Sequence, residues 1–486
     1  MSYFTRFILL TALLYLTAAT RSVAQHNPPL RPMPLHAVPL KNSGTQESQV
    51  SPKKTGAVKI KKFKKRDSLR LVRDSVSILR KPEKHPQGLI NSVPLVKKAG
   101  DISEADTLIA SAETDIGDVF SSLFSKKKKT VPRNKNSGSL VLLPSVGYTP
   151  STGFEFGADV SGTHYFGDPE TTTLSVFDAF GVVSTNELAL LQFRHNIYSA
   201  RNQWNIQGNW DLGKTVMLDR GLGTAHGQLP LVETRYTFIK LNELFYRNLL
   251  PNFYAGIGMS LNYYTNIDDD LEQPDLAGRY NYQYSIKNGF ESSRYLANGL
   301  LINLQYNTRD QPYRPYKGTY VDLILKTNQQ FLGSDRSALQ LKTEVRKYWS
   351  LSTKNPEQVL AYWMWGSYLL SGTIPYLDLP GTGSDTEQRL GRGYTIGRFK
   401  GPSFFYNEVE YRFPITRNKL LSGVVFLNVQ TASDQEKIKL LNYWEPGTGT
   451  GLRILFNKHT RSNLCIDYGI GNNGSRGVFV GLNEVF

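Results

Sequence analysis

Residues 404–413 read FFYNEVEYRF. In an extended chain, successive side chains point to opposite faces. Phe405, Val409, Tyr411 and Phe413 therefore share one face, and Tyr406, Glu408, Glu410 and Arg412 the other. A face carrying two carboxylates and a guanidinium does not line a dry core. Such a strand fits a wall with lipid on one side and a polar lumen on the other. The pattern recurs downstream. Leu300–Asn307 sets Leu300, Ile302, Leu304 and Tyr306 against Asn303, Gln305 and Asn307. Val424–Gln430 sets Val425, Leu427 and Val429 against Phe426, Asn428 and Gln430; Arg461–Tyr468 sets Leu464, Ile466 and Tyr468 against Asn463, Cys465 and Asp467. From Ser139 onward, sixteen such strands of about ten residues, the length a tilted membrane strand requires, predict an all-β fold. That fold is a 16-stranded antiparallel transmembrane β-barrel over residues 139–486. No apolar run after residue 25 is long enough for a spanning helix.

The chain before the barrel is of another kind. Fifty of the 57 aromatics follow residue 135. Residues 26–135 hold 23 Lys+Arg against 10 Asp+Glu, whereas residues 136–486 hold 32 against 31, so the basic balance belongs to a tail. Met1–Ala24 has a secretory leader's charged start at Arg6, apolar Phe7–Ala19 and small-x-small Ser22-Val23-Ala24. Its apolar run is too short for a membrane anchor. An exported basic tail is expected to meet anionic headgroups or cell-wall polymer, not nucleic acid. The only cysteine is Cys465, so no internal disulfide can form and no lipid-bearing cysteine follows the leader. Residues 25–100 are Pro- and Lys-rich and too poor in apolar surface to order themselves, with Lys53–Arg66 the densest basic run. That run reads either as a tether to anionic surfaces or as a solvated tail. Within residues 101–135, Ile109, Ile116, Val119, Phe120, Leu123 and Phe124 recur at roughly helical spacing ahead of Lys126–Lys129. This is an amphipathic periplasmic helix on a membrane surface or a weak linker helix.

Turn lengths alternate, as outer-membrane barrels require. Short connections fall near Gly167–Glu170, Asn248–Pro251, Thr353–Glu357 and Pro414–Lys419, and long ones near Asp211–Gln228, Asn266–Ala297, Gly372–Gly401 and Thr431–Gly447. With sixteen strands this places both chain ends in the periplasm. The chain closes on Val478, Val480, Leu482 and Phe486 at period two, with Glu484 breaking the apolar face.

Three stretches carry a family resemblance: Tyr306–Pro312 with Pro315 and Gly318, Arg392-Gly393-Tyr394 within a Gly-rich loop, and Glu410–Pro414 with the strand after it. Leu143–Tyr148 and Gly153–Gly157 add a first hairpin. Together, over residues 139–486, they resemble the BamA/TamA family of outer-membrane assembly barrels, also called the bacterial surface-antigen family. The resemblance implies that Arg392-Gly393-Tyr394 is the tip of the sixth extracellular loop. Two departures stand out. Gly391 precedes the Arg where the family has an aliphatic residue, and Phe426-x-Asn428-x-Gln430 lacks the family's carboxylate. The family's periplasmic POTRA domains have no counterpart in residues 26–135, which implies a POTRA-less member.

The residues themselves support an inward-folded loop. Gly391, Gly393 and Gly397 permit tight backbone approach. Arg392 then needs an anion, and Glu410, with Glu408 beside it, points inward from the next strand. Such a pair is charge-assisted and can be bidentate, and Asn428 can add a hydrogen bond. Arg392, Gly393, Tyr394, Glu408, Glu410 and Asn428 are thus expected to form a structural loop lock. Ser139, Leu140 and Val141 in the first strand, Ser139–Thr149, and Val478, Val480, Leu482 and Phe486 in the last, Arg476–Phe486, are expected to form the barrel seam. Asp268–Asp270 with Glu272 and Asp275 read as a solvated acidic loop before they read as calcium ligands. His164, His195, His226 and His459 are scattered, with no nucleophile–base pairing, and no phosphate loop or metal spacing is present. The expectation is a non-enzymatic barrel without cofactor or metal. Its role is outer-membrane biogenesis (insertion or export of protein or lipid), or a structural, partner-binding barrel, or a passive pore.

Overall fold

A computed structural model describes residues 113–119, 139–149, 152–224, 231–269, 279–311, 313–386, 388–458 and 461–486. The barrel residues form one antiparallel sheet of sixteen strands in sequence order. It opens with β1 (Ser139–Thr149), β2 (Gly153–His164), β3 (Ser175–Ser184), β4 (Ala189–Tyr198), β5 (Trp204–Asp219), β6 (Val232–Leu250), β7 (Phe253–Asp269) and β8 (Tyr295–Asn307). It continues with β9 (Gly318–Asn328), β10 (Ala338–Ser350), β11 (Val359–Gly372), β12 (Ser403–Pro414), β13 (Leu421–Ala432), β14 (Glu445–Asn457), β15 (Ser462–Gly471) and β16 (Arg476–Leu482).

The faces follow the alternation. On β8, Leu300, Ile302, Leu304 and Tyr306 are exposed while Leu301, Asn303 and Gln305 are buried. On β12, Tyr406, Glu408, Glu410 and Arg412 are buried. Large apolar side chains stand exposed around the outside, among them Leu142, Phe156, Ile257, Leu323, Leu427 and Val480. A contiguous apolar exterior with a charged interior is the inverse of a water-soluble domain. Among the described residues, no helix is long and apolar enough to cross a membrane.

The sheet curls until its two edge strands approach one another. Yet among the described residues no hydrogen-bonded ladder joins β1 to β16. β16 stops at Leu482 instead of running to Phe486 as expected. Asn483 takes φ +65, which turns the chain out of the wall. Glu484, Val485 and Phe486 enter the lumen, where the Phe486 ring stacks on Trp363 at 5.1 Å. Phe486 is therefore not a seam residue. The period-two reading carried it to the outer face, and one left-handed residue reverses that.

Two other expectations need correction. β5, β6 and β7 run 16, 19 and 17 residues, well beyond ten. Asp211–Asp219, read as the start of a long loop, continues β5 in ladder with β6. Of the expected helix, only residues 113–119 are described, with helical backbone over residues 116–119. Asp115 caps that turn by accepting from Asp118 N–H at 2.9 Å, and Asp118 returns the bond to Asp115 N–H. The leader, the basic tail, Lys126–Lys129, His226, His459 and Asp270–Asp275 lie outside the described residues.

At the long-turn end, α1 (Tyr280–Asn288) packs Tyr284 against Tyr376 and closes on Gly289 in the left-handed region. At the short-turn end, residues 113–119 dock on two turns. Glu113 pairs with Lys419 at 3.0 Å, and Asp118 with Lys458 at 2.8 Å.

Candidate functional site

The connection between β11 and β12, residues 373–402, folds back into the lumen. Its returning limb bridges Gly381 to Lys400, and its tip is Gly391–Tyr394. Gly393 sits at φ +107, a conformation that costs a side-chain-bearing residue strain. The tip lies flat on β14 and β15 because their inner faces are paved with glycine. A Cβ on Gly447 would lie 2.8 Å from the Arg392 carbonyl oxygen, one on Gly469 2.6 Å from Gly393 N, and one on Gly471 2.4 Å from the Tyr394 ring.

Arg392 is 1% exposed. One terminal nitrogen donates to Glu408 and Glu410 and the other to Asp467 at 2.6 Å. Its guanidinium lies 3.7 Å over the Phe426 ring, a cation–π contact. Asn428 donates to the Arg392 carbonyl at 3.0 Å. Burial works against the charge on Arg392, but the carboxylates of Glu408, Glu410 and Asp467 outweigh it and hold the proton on. Tyr394 donates to the Pro446 carbonyl at 2.5 Å and accepts from Asn472 N–H at 2.8 Å. Burial pushes its hydroxyl up to about 12. All six residues expected in the lock are therefore together.

Four more charged residues, Asp467, Arg453, Glu484 and Arg412, belong to this cluster beyond those expected from the sequence. Asp467 was read as inward-facing on β15 but given no partner. Arg453, on the glycine face of β14, bridges Asp467 at 2.5 Å and Glu484 at 2.8 Å. Glu484 also lies 3.8 Å from Arg412 and 3.9 Å from Arg314. Arg412 closes the circuit on Glu410 at 2.8 Å. The pairing runs on from Arg314 to Glu357 at 3.5 Å, from Glu357 to Lys419 at 2.6 Å, and so to Glu113. The signal available was Glu484, an isolated carboxylate in an apolar strand, and the one-faced series Glu445, Gly447, Gly449, Gly451, Arg453.

The seam residues Val478 and Val480 on β16 sit one strand from Asp467 but on the opposite, outer face of the wall. Ser139, Leu140 and Val141 lie on β1, and Val478, Val480 and Leu482 on β16. Leu140, Val478 and Val480 are exposed. Of the histidines, His195 pairs with Glu243 at 3.0 Å inside the wall, where Trp210 donates to the same carboxylate.

The sequence pattern of the Omp85 superfamily domain matches residues 165–471. The chain belongs to the Omp85 superfamily. As an Omp85 protein it is an outer-membrane β-barrel, and the matched stretch holds Arg392, Glu408, Glu410 and Asp467. No curated protein matches the chain. Among solved structures it is similar to BamA from Haemophilus ducreyi lacking POTRA domains 1–3, at 15% identity and TM-score 0.46, covering 72% of this chain and 70% of that one. It is also similar to CdiB from Acinetobacter baumannii at 10% identity and TM-score 0.43 (72% and 59% covered) and CdiB from Escherichia coli at 6% and 0.47 (73% and 63% covered).

One substitution tests how tightly the tip is seated. Gly393→Ala adds a methyl 2.9 Å from the Ile470 carbonyl at a left-handed backbone position. The expected cost is on the order of 1–3 kcal/mol. It should read out as a lower thermal midpoint in detergent with faster proteolysis within residues 373–402. An unchanged midpoint and digest would mean that the tip is not seated there.

Proposed function

We propose that this Omp85 barrel is a non-enzymatic factor in outer-membrane biogenesis that helps insert or export protein or lipid. The observation that carries the reading is the seam. Two edge strands of unequal length, eleven residues in β1 and seven in β16, lie close without a ladder. Unpaired strand edges are templates for an incoming strand. The Arg392 lock would then hold the lumenal loop and fix the wall from β12 to β15, up to the strand beside the seam. In this reading residues 1–24 are a cleaved leader, and residues 25–100 form a basic periplasmic tail free to meet anionic headgroups or cell-wall polymer. Residues 101–135 link that tail to the barrel, and both chain ends face the periplasm. The competing reading is a structural or partner-binding barrel whose seam stays shut.

Disulfide trapping separates the two. Single cysteines would be placed at Leu140 or Leu142 and at Val478 or Val480 in a Cys465→Ser background, in native membranes. The biogenesis reading expects weak crosslinking spread over registers, and depletion of other outer-membrane barrels when a crosslink does form. Efficient crosslinking at one register with normal outer-membrane protein levels would reject it in favour of the closed structural barrel.

A further inference from the structure

The lumen carries a second charged cluster, of opposite sign to the Arg392 site and on the opposite limb of the same loop. Lys240 on β6, Lys326 on β9 and Lys342 on β10 sit at inward positions. Each is within electrostatic range of the others and of Asp378, which the loop presents from the 3₁₀ turn Tyr376–Asp378. Asp378 is held by the wall. It accepts from Asn262 at 2.8 and 2.9 Å and from Tyr264 at 2.6 Å, with Lys326 at 3.6 Å. The wall thus already has the donor geometry to recognise an oxyanion.

The charges do not close. Three ammonium groups face Asp378 and, beside Lys240, Asp211, whose carboxylate accepts from Gln192 and Asn209. Lys326 takes Asp378. Lys240 Nζ lies 5.1 Å over the Phe238 ring and 5.3 Å over the Tyr264 ring, and neither that ammonium group nor the one of Lys342 makes an ion pair or hydrogen bond among the described residues. Lysines held in a lumen without counter-charge repel one another, and burial makes that repulsion worse. One further negative charge would neutralise the cluster.

We propose that Lys240 and Lys342, flanked by Lys326 and Asp378, form a lumenal oxyanion site that takes one phosphate-type group. Lys is a point-charge phosphate donor with three rotatable hydrogens. Two unpaired ammonium groups can close on a phosphate without displacing Asp378, which Lys326, Asn262 and Tyr264 hold. The site is independent of the seam, so it stands or falls apart from the biogenesis reading.

The full chain in a non-phosphate maltoside detergent would be titrated with inorganic phosphate and pyrophosphate at constant ionic strength, with the thermal midpoint followed. The wild type should show a saturable rise. Lys240→Gln with Lys342→Gln should lose it, or need at least about tenfold more ligand, the worth of one charge-assisted hydrogen bond. Lys342→Arg keeps the charge and should keep the rise, which guards against a folding defect in the glutamine variant. Short-chain phosphatidylglycerol below its micelle concentration forms a second arm. A rise with lipid alone assigns the site to a headgroup, and a rise with phosphate assigns it to the free oxyanion. No saturable rise in the wild type with any of the three, or an equal rise in the double glutamine variant, overturns the proposal.

Discussion

Arg392→Ala should be among the most damaging single changes available in this barrel, at about 3–5 kcal/mol, the usual result of removing one partner from a buried ionic cluster. The guanidinium is the common partner of Glu408, Glu410 and Asp467. Without it, three inward carboxylates from β12 and β15 face one another in a site where Arg392 and the glutamates are at most 1% exposed. Arg412 and Arg453 remain, but each already serves Glu410, Asp467 or Glu484. The loop tip loses its charged anchor, leaving Asn428 on the backbone carbonyl and Tyr394 on Pro446. The thermal midpoint in detergent should fall steeply and residues 373–402 should become protease-sensitive. Arg392→Lys should recover only part of this, because one ammonium cannot reproduce a planar fork that reaches two strands. Combining Arg392→Met with Glu408→Gln should recover more than lysine does, since it removes the one carboxylate left without a cation while Glu410 keeps Arg412 and Asp467 keeps Arg453. A midpoint for Arg392→Ala within about 0.5 kcal/mol of wild type, the range of an ordinary surface change, would mean that the loop is held by something else.

The sequence made the wall legible because lipid and lumen impose a strict period of two where the strand crosses hydrocarbon. β8, β12, β13 and β15 have the faces that their residues predict. The same rule fails where that pressure ends. Asp211–Asp219 mixes Gly213, Lys214 and Thr215 with apolar residues and reads as loop, yet it pairs with β6 through Asp219↔Val232. The lock was half legible. Arg392 and Glu410 are 18 residues apart, and one hairpin joins them. Asp467 lies 75 residues from Arg392 and is brought in only by the pairing of β12 through β15. The carboxylate missing at Asn428 is in effect supplied two strands away, a displacement that no local spacing encodes. The lysine site escaped for the same reason, since β6 and β10 are not neighbours.

Glu484→Ala is expected to match Arg392→Ala in size for the converse reason: it removes the anion. One carboxylate serves Arg453 at 2.8 Å, Arg412 at 3.8 Å and Arg314 at 3.9 Å, and accepts from Asn463 at 2.7 Å. Arg314, Arg412 and Arg453 are each 4% exposed or less, so water cannot take over. Each keeps one other acid, Glu357, Glu410 and Asp467 respectively, so the cost should fall at about 3–5 kcal/mol and not at three times that. The consequence is local as well as global. Asn483–Phe486 leaves the wall at a strained φ of +65 and is retained by Glu484, by Phe486 on Trp363, and by Arg389 donating to the Asn483 and Glu484 carbonyls. Cys465, 3% exposed, sits under this segment with Sγ 2.9 Å from the Asn483 carbonyl. As the only cysteine in the chain, it is a built-in reporter. In Glu484→Ala a maleimide should label Cys465 much faster than in wild type under conditions where the rest of the barrel stays folded. In Glu484→Gln, which keeps the shape and the Asn463 bond, labelling should rise less. Slow labelling in the alanine variant together with an unchanged midpoint would show that aromatic stacking alone holds the chain end inside, and that the acid is a passenger.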